Sequence, residues 1–164
     1  MRNALDALAE VGVNVTLVVN HPLGEERLAE LLPQVHRVLL RNNAGRDMGG
    51  YRDGILSLLD DPPERLLIMS DSVYYFRSGL AEMFRKLATS SCDVCATFEN
   101  WELRHHIQSF CYSISRHMLE RPAFQAFWRN YLPVNARPWP SARARWAAPA
   151  ACCVRPGRSR WSST

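Results

Sequence analysis

The stretch from Asn42 to Tyr74 constrains this chain most: a glycine-dense loop, an apolar helical run and a short apolar strand follow one another without a break. The loop reads N-N-A-G-R-D-M-G-G-Y-R-D-G. It packs Gly45, Gly49, Gly50 and Gly54 around Arg46, Asp47, Tyr51, Arg52 and Asp53. Glycines let a backbone turn sharply and approach a ligand closely. The strand, Leu66 to Met69, ends in the polar tip Ser70-Asp71-Ser72. Ligands of open α/β sheets bind just outside the carboxyl ends of strands. The loop and the tip are therefore expected to meet at one ligand.

The flanking chain reads as scaffold for that meeting. Leu5, Leu8 and Ala9 give a helical face, and Val13 to Asn20 is a β-branched, buried strand. Glu25 to Leu32 reads as a helix and Val35 to Arg41 as a second strand. Ile55, Leu56, Leu58 and Leu59 extend the glycine loop into a helix that Asp60-Asp61-Pro62-Pro63 ends. Arg65 to Met69 is the third strand. Ser78 is the expected N-cap of a helix that turns Leu80, Met83, Phe84 and Leu87 inward. A fourth strand covers Cys92 to Phe98. Phe110, Tyr112 and Ile114 then alternate with small polar residues, the mark of a strand, and Pro122 opens a last helix carrying Phe124, Phe127, Trp128 and Tyr131. Alternating strands and helices predict an α/β domain with a mostly parallel sheet and helices on both faces.

Charge excludes one class of partner. Six of the 20 basic residues lie after Ala136, where no acid occurs, so the first 136 residues carry 14 bases against 16 acids. That main part has no basic stripe of the kind nucleic-acid binding needs. No apolar run reaches the roughly 20 residues of a membrane span, and the N-terminus does not read as a signal peptide. The expected location is cytoplasmic, with surface attachment to the inner face of the membrane left open. Cys92-x-x-Cys95 reads as structural core thiols, and the five cysteines form no paired pattern, which suits a reducing compartment.

The loop admits two readings. A nucleotide-sugar diphosphate needs backbone N–H groups or cations for phosphate and often a metal held by carboxylates at a strand tip. On that reading Asn43, Gly45 and Arg46 face the diphosphate. Asp47 then holds a ribose hydroxyl, the sugar or Arg46, and Asp71 is the metal or sugar contact. On the other reading Gly45-Arg46-Asp47 is a helix start with an acid favoured by the helix dipole. The residues by themselves do not choose.

Three motifs in order, N-x-G-R-D-x-G-G-Y (43–51), M-S-D-S-V-Y (69–74) and H-I-Q-S-F (106–110) ahead of F-x-x-F-W, make the chain resemble the rhamnan synthesis protein F family over roughly residues 13–132. That resemblance implies a GT-A-like glycosyltransferase with a Rossmann-like three-layer sandwich. The implied activity is rhamnosyl transfer in cell-surface polysaccharide synthesis. The donor would be a nucleotide sugar such as dTDP-rhamnose and the acceptor a lipid-linked glycan at the membrane. A non-catalytic or truncated accessory nucleotide-sugar-binding domain is the alternative. By the same resemblance Asn43, Gly45, Arg46, Asp47 and Asp71 contact the donor, with Asp71 as the metal ligand for Mg²⁺ or Mn²⁺. Serines replace the outer carboxylates of an Asp-x-Asp tip, and a hydroxyl is a poor ligand for such cations, which puts metal dependence in question. Glu99, Glu102 and His106 are the candidates for the base that takes the acceptor proton.

The domain is expected to span residues 1–133, followed by a basic tail at 134–164. The tail has scattered Trp, four Pro and no apolar period. It reads either as disordered or as a segment out of frame, which would leave the acceptor side of the fold incomplete at its C-terminus.

Overall fold

A computed structural model describes residues 2–101 and 106–135, together with the backbone of 151–153. Helix α1 (Arg2–Val11) buries Ala4, Leu5, Ala7 and Leu8. It is followed by β1 (Thr16–Val19), α2 (Glu25–Leu31) with a 3-10 turn at Leu32–Gln34, and β2 (Arg37–Leu40). The glycine loop leads into α3 (Arg46–Leu56), then β3 (Arg65–Met69), α4 (Leu80–Ala88) and β4 (Val94–Ala96). A small hairpin, β5 (Glu99–Asn100) and β6 (His106–Ile107), precedes β7 (Cys111–Ser115). The chain continues through α5 (Arg116–Leu119) and α6 (Pro122–Asn130) to β8 (Ala151–Cys153).

The fold is α/β, but its sheets are small and mixed. Strands β1 and β2 pair in parallel, from Thr16 opposite Arg37 to Val19 opposite Leu40. A second sheet has the order β3-β7-β4-β8. Its inner strand β7 runs antiparallel to both β3 and β4, while β8 is parallel to β4. The expectation of a mostly parallel sheet is therefore corrected. A parallel return requires a crossover of a dozen or more residues, usually helical, whereas antiparallel neighbours do not. Among the described residues the segment between β4 and β7 holds only the short hairpin, and β7 comes back alongside β4 in the opposite direction.

Strand alternation splits the core in two. Ile68 of β3 and Tyr112 and Ile114 of β7 pack with Ile55, Leu59, Met118, Leu119, Phe124 and Trp128, drawn from α3 and its C-terminal turn, α5 and α6. Leu67, Met69, Cys95 and Cys111 face the opposite way, toward α1 and toward Leu80, Phe84 and Leu87 of α4. Helices thus cover both faces. Trp128 and Phe84 are each 1% exposed, and burying a large apolar side chain contributes about 1.5–3 kcal/mol. The one polar side chain wholly inside the inner strand is satisfied: the Ser113 hydroxyl donates to the Leu87 carbonyl at 2.8 Å and accepts from Arg65 at 2.9 Å.

Local differences from the sequence reading have local causes. The N-cap of α4 is Gly79 in the left-handed conformation, φ 74°, and not Ser78. Ser115 caps α5, a helix too short to show a period, by accepting from the Met118 N–H. Just past the expected boundary at Pro133, the Asn135 side-chain oxygen accepts the Gly45 N–H at 2.9 Å. Most of the basic tail lies outside the described residues. Within it Ala151–Cys153 pairs in parallel with β4. A ladder is made by backbone groups, and apolar periodicity is blind to that.

Candidate functional site

Polar residues stand directly after three strands: Asn20 after β1, Arg41 after β2 and Ser70 after β3. Arg41 fastens the first two ends to the glycine loop. Its side chain is 8% exposed. Its guanidinium donates to Asp53 of α3 at 2.6 Å, to the Asn20 side-chain oxygen at 2.5 Å and to the Ala44 carbonyl at 2.6 Å. Buried charges persist when paired and hydrogen-bonded, and Arg41 uses its fork on three partners at once.

This clamp explains the glycines. A Cβ on Gly49 would sit 2.0 Å from the Ala44 carbonyl oxygen and 2.6 Å from the Arg41 guanidinium. Gly45 has φ 74°, and a Cβ there would meet Pro133 at 2.5 Å. Both positions are empty so that the chain can pack against itself.

Asp47, in the first turn of α3, ties the helix to the tip of β3. Its Oδ2 accepts the hydroxyls of Ser70 and Ser72, each at 3.0 Å, and the two serines lie 2.8 Å apart. The sequence placed loop and tip at one locus, and the structure brings Asp47, Ser70 and Ser72 together there. Tyr51, one turn along α3, joins them. Burial pushes its phenol up from the usual range, a hydrogen bond with Ser70 opposes this, and the carboxylates of Asp47 and Asp71 raise it further. Asp71 itself is exposed. From the other side the Tyr75 hydroxyl donates to the Ser70 and Phe110 carbonyls at 3.0 and 3.1 Å.

Arg46 is exposed and has φ 50°, the one non-glycine residue with positive φ among those described. A left-handed conformation at such a residue is uncommon. Among the described residues no hydrogen bond or ion pair engages its side chain. Asn43 is exposed, and its carbonyl accepts the Arg46 N–H at 3.4 Å. Gly45 is buried and its N–H is already held by Asn135.

Two of the candidate bases lie on one hairpin. Glu99 pairs with Ile107, and His106 pairs with Asn100, across the β5–β6 hairpin. Glu99 is exposed and His106 half-buried, while Glu102 lies outside the described residues. Ile107, beside His106, packs on the same core cluster as Met48 and Tyr51, which sets the hairpin on the α3 side of the sheet. Among the described residues no three His, Cys, Asp or Glu side chains converge in a way that would hold a metal ion. Asp71 and Asp47 supply carboxylates, but Asp47 Oδ2 is occupied by two hydroxyls. Cys95 and Cys111 are buried free thiols, and burial pushes the Cys111 thiol up to about 12.

Arg41, Asn20, Tyr75 and Asn135 were not singled out as site-forming from the sequence, and Tyr51 and Asp53 were named only as members of the loop. Arg41 and Asn20 had a signal: each is the first polar residue after an apolar strand, at neighbouring register positions.

These features define an α/β protein whose polar cluster gathers at the carboxyl ends of its strands, where such folds bind ligands. The chain belongs to the rhamnan synthesis protein F family, whose model matches residues 15–136. It is also similar to the uncharacterized protein y4gN of Sinorhizobium fredii (strain NBRC 101917 / NGR234), 31% identical over 132 residues. The match covers 77% of this chain and 34% of that protein, so the chain spans about a third of its relative. No solved structure matches it significantly. Among the described residues no helix is long and apolar enough to cross a membrane.

Proposed function

We propose that this domain binds the donor of a sugar-nucleotide-dependent glycosyltransferase, of GT-A-like type, that transfers rhamnose to a lipid-linked glycan at the cytoplasmic face of the membrane. The observation that carries the reading is the tie from Asp47 to Ser70 and Ser72. It fixes the start of α3 against the β3 tip, with Arg46 exposed on one side and Asp71 exposed on the other. A helix N-terminus with a cation beside it suits a diphosphate. Asp71 is then the contact for the donor sugar of a nucleotide such as dTDP-rhamnose. In the reaction an acceptor hydroxyl attacks the anomeric carbon and gives its proton to a base, for which Glu99, Glu102 and His106 are the candidates. The bond from that carbon to phosphate oxygen breaks, and nucleoside diphosphate leaves. A divalent cation, where one is used, would neutralise the leaving charge, with Asp71 as the protein's contribution.

A titration of the intact chain against a panel of nucleotide sugars tests this. Binding of a deoxythymidine diphosphate sugar, weakened by about 1.5–3 kcal/mol in Arg46→Ala as for a charge-assisted hydrogen bond, is the expected result. Equal affinity in Arg46→Ala with an intact fold removes Arg46 from the site. The second reading, an accessory domain that binds without turnover, draws on the serines that stand beside Asp71. Binding with no release of nucleoside diphosphate in the presence of acceptor decides for it.

A further inference from the structure

The segment after the β3 tip, Val73-Tyr74-Tyr75-Phe76, spends its aromatic residues unevenly. Tyr75 points inward. Its hydroxyl bonds the Ser70 and Phe110 carbonyls, its carbonyl accepts from Asn3 at 3.3 Å, and its ring packs on Phe84. Tyr74 and Phe76, on either side, are 75% and 74% exposed. They are not splayed apart: their rings meet edge to face, with centroids 5.0 Å apart and planes at 73°. Two large rings kept in water contribute little to folding, since apolar surface stabilises by leaving water. Here they are presented as a pair by an anchored neighbour. Contiguous exposed apolar surface marks binding sites more than singly scattered residues do.

We infer that Tyr74 and Phe76 form a carbohydrate subsite that stacks against the apolar face of a sugar ring in the glycan acceptor. This extends the transferase reading, on which it rests for the word acceptor. The Tyr75–Ser70 bond folds the aromatic turn back onto the tip that carries Asp71, so a sugar on the two rings lies beside the place where the donor sugar would end. The neighbouring groups suit a polyhydroxylated ligand. Ser72 and Asp71 are exposed beside the turn, and Tyr74 brings a phenol. An aromatic ring with a polar handle favours a partner apolar on one side and wet on the other. A bilayer surface suits the patch less well. The segment 70–76 carries the acid Asp71 and no cation, Arg77 is the only base within the next three positions, and the first 136 residues are net acidic. Anionic lipid is drawn by clustered Lys and Arg.

The test titrates the whole chain with a rhamnose disaccharide and trisaccharide, read by saturation-transfer NMR, and in parallel with vesicles of phosphatidylcholine and phosphatidylglycerol. Wild type is expected to bind the oligosaccharides with saturation transfer to sugar C–H protons. Tyr74→Ala and Phe76→Ala are each expected to weaken that binding by about tenfold, the scale of one aromatic contact. Both residues are exposed, so thermal midpoints stay at the wild-type value. Unchanged oligosaccharide affinity in both variants overturns the subsite. So does a wild type that ignores the oligosaccharides but binds vesicles through the same two residues. Nucleotide titration of the same samples is read separately. If oligosaccharide binds through the two rings and no nucleotide binds, the subsite stands and the donor reading falls.

Discussion

Gly49→Ala sets helix propensity against packing, and the geometry decides the sign. Gly49 is the fourth residue of α3, an interior helical position, where replacing Gly by Ala ordinarily stabilises by about 0.5–1 kcal/mol. The added methyl would stand 2.0 Å from the Ala44 carbonyl oxygen, a backbone atom, and 2.6 Å from the Arg41 guanidinium. The carbonyl cannot retreat freely, because it accepts from Arg41 at 2.6 Å and Arg41 is also held by Asp53 and Asn20. Overpacking costs roughly 1–3 kcal/mol, and breaking the charged hydrogen bond to Ala44 about 1.5–3 kcal/mol more. The penalties exceed the propensity gain, and the net expectation is a loss of about 1.5–5.5 kcal/mol from these same terms. Two other glycines of the helix serve as controls. A Cβ on Gly50 meets only ordinary contacts, at 3.7 and 3.8 Å, so Gly50→Ala gains about 0.5–1 kcal/mol. On Gly54 it meets the Val18 Cγ2 at 3.3 Å, the end of a side chain, and the change is near zero. Urea unfolding followed by circular dichroism at 222 nm measures all three. The argument fails if Gly49→Ala is as stable as wild type, or if the three variants shift alike, since propensity alone treats them as equivalent.

Mn²⁺ titrated into the domain alone is expected to bind weakly, and markedly more tightly once a nucleoside diphosphate is present. Tight binding without nucleotide would mean that other carboxylates converge at the tip. Cys111 carries a pH prediction: its thiol is neutral in the fold up to about 12 against an ordinary 9.0. The unfolded chain therefore binds fewer protons in that window, and stability falls as pH rises from about 9 to about 12. Cys111→Ser is expected to flatten that slope in urea unfolding curves taken across the range, and an unchanged slope assigns the loss to other groups. Asn135→Ala frees the Gly45 N–H, a group at a buried residue, and is expected to cost about 1 kcal/mol, measurable by urea unfolding. No loss would show that the end of the domain lies before Asn135.

What was legible in the sequence follows the kind of interaction involved. Strand β3 and the start of α6 at Pro122 stand where apolar runs and breaker residues put them, because solvent exclusion writes its periodicity into side chains. Strand direction is not written there. Leu66, Ile68, Tyr112 and Ile114 would bury the same faces in a parallel or an antiparallel pair, so a mostly parallel sheet was expected where β7 runs antiparallel to both its neighbours. The meeting of Asp47 with the β3 tip was legible, since a loop after one strand and the end of another share one edge of an α/β sheet. The Arg41 clamp was not. Its partners Asn20, Ala44 and Asp53 are 21, 3 and 12 positions away, and no local pattern joins them. The same holds for Asn135, whose partner is 90 positions back.

The glycine-rich motif now divides by task. Gly45 clears Pro133, Gly49 clears the Arg41–Ala44 contact, Asp47 holds Ser70 and Ser72, and Tyr51 packs edge to face on Tyr112 while reaching Ser70. Each of these residues turns toward the protein. Met48 is packed against the core as well. Arg46 alone of the residues 43–51 combines an exposed side chain, a positive φ and no described partner. Residues held in sparsely populated backbone regions persist where the surroundings over-determine them, and such positions cluster at ligand sites. The surroundings here are the clamp on one side and the Asp47 tie on the other. On this account the motif is mostly the means of building a rigid seat, and one cation is what it offers to a ligand. Arg46→Lys then becomes more informative than truncation. Lysine keeps the charge but loses the planar fork that matches two phosphate oxygens. If a diphosphate is gripped bidentately, Arg46→Lys should approach Arg46→Ala in nucleotide affinity. If Arg46 serves only as a point charge beside the helix start, Arg46→Lys should stay near wild type and lose affinity with added salt.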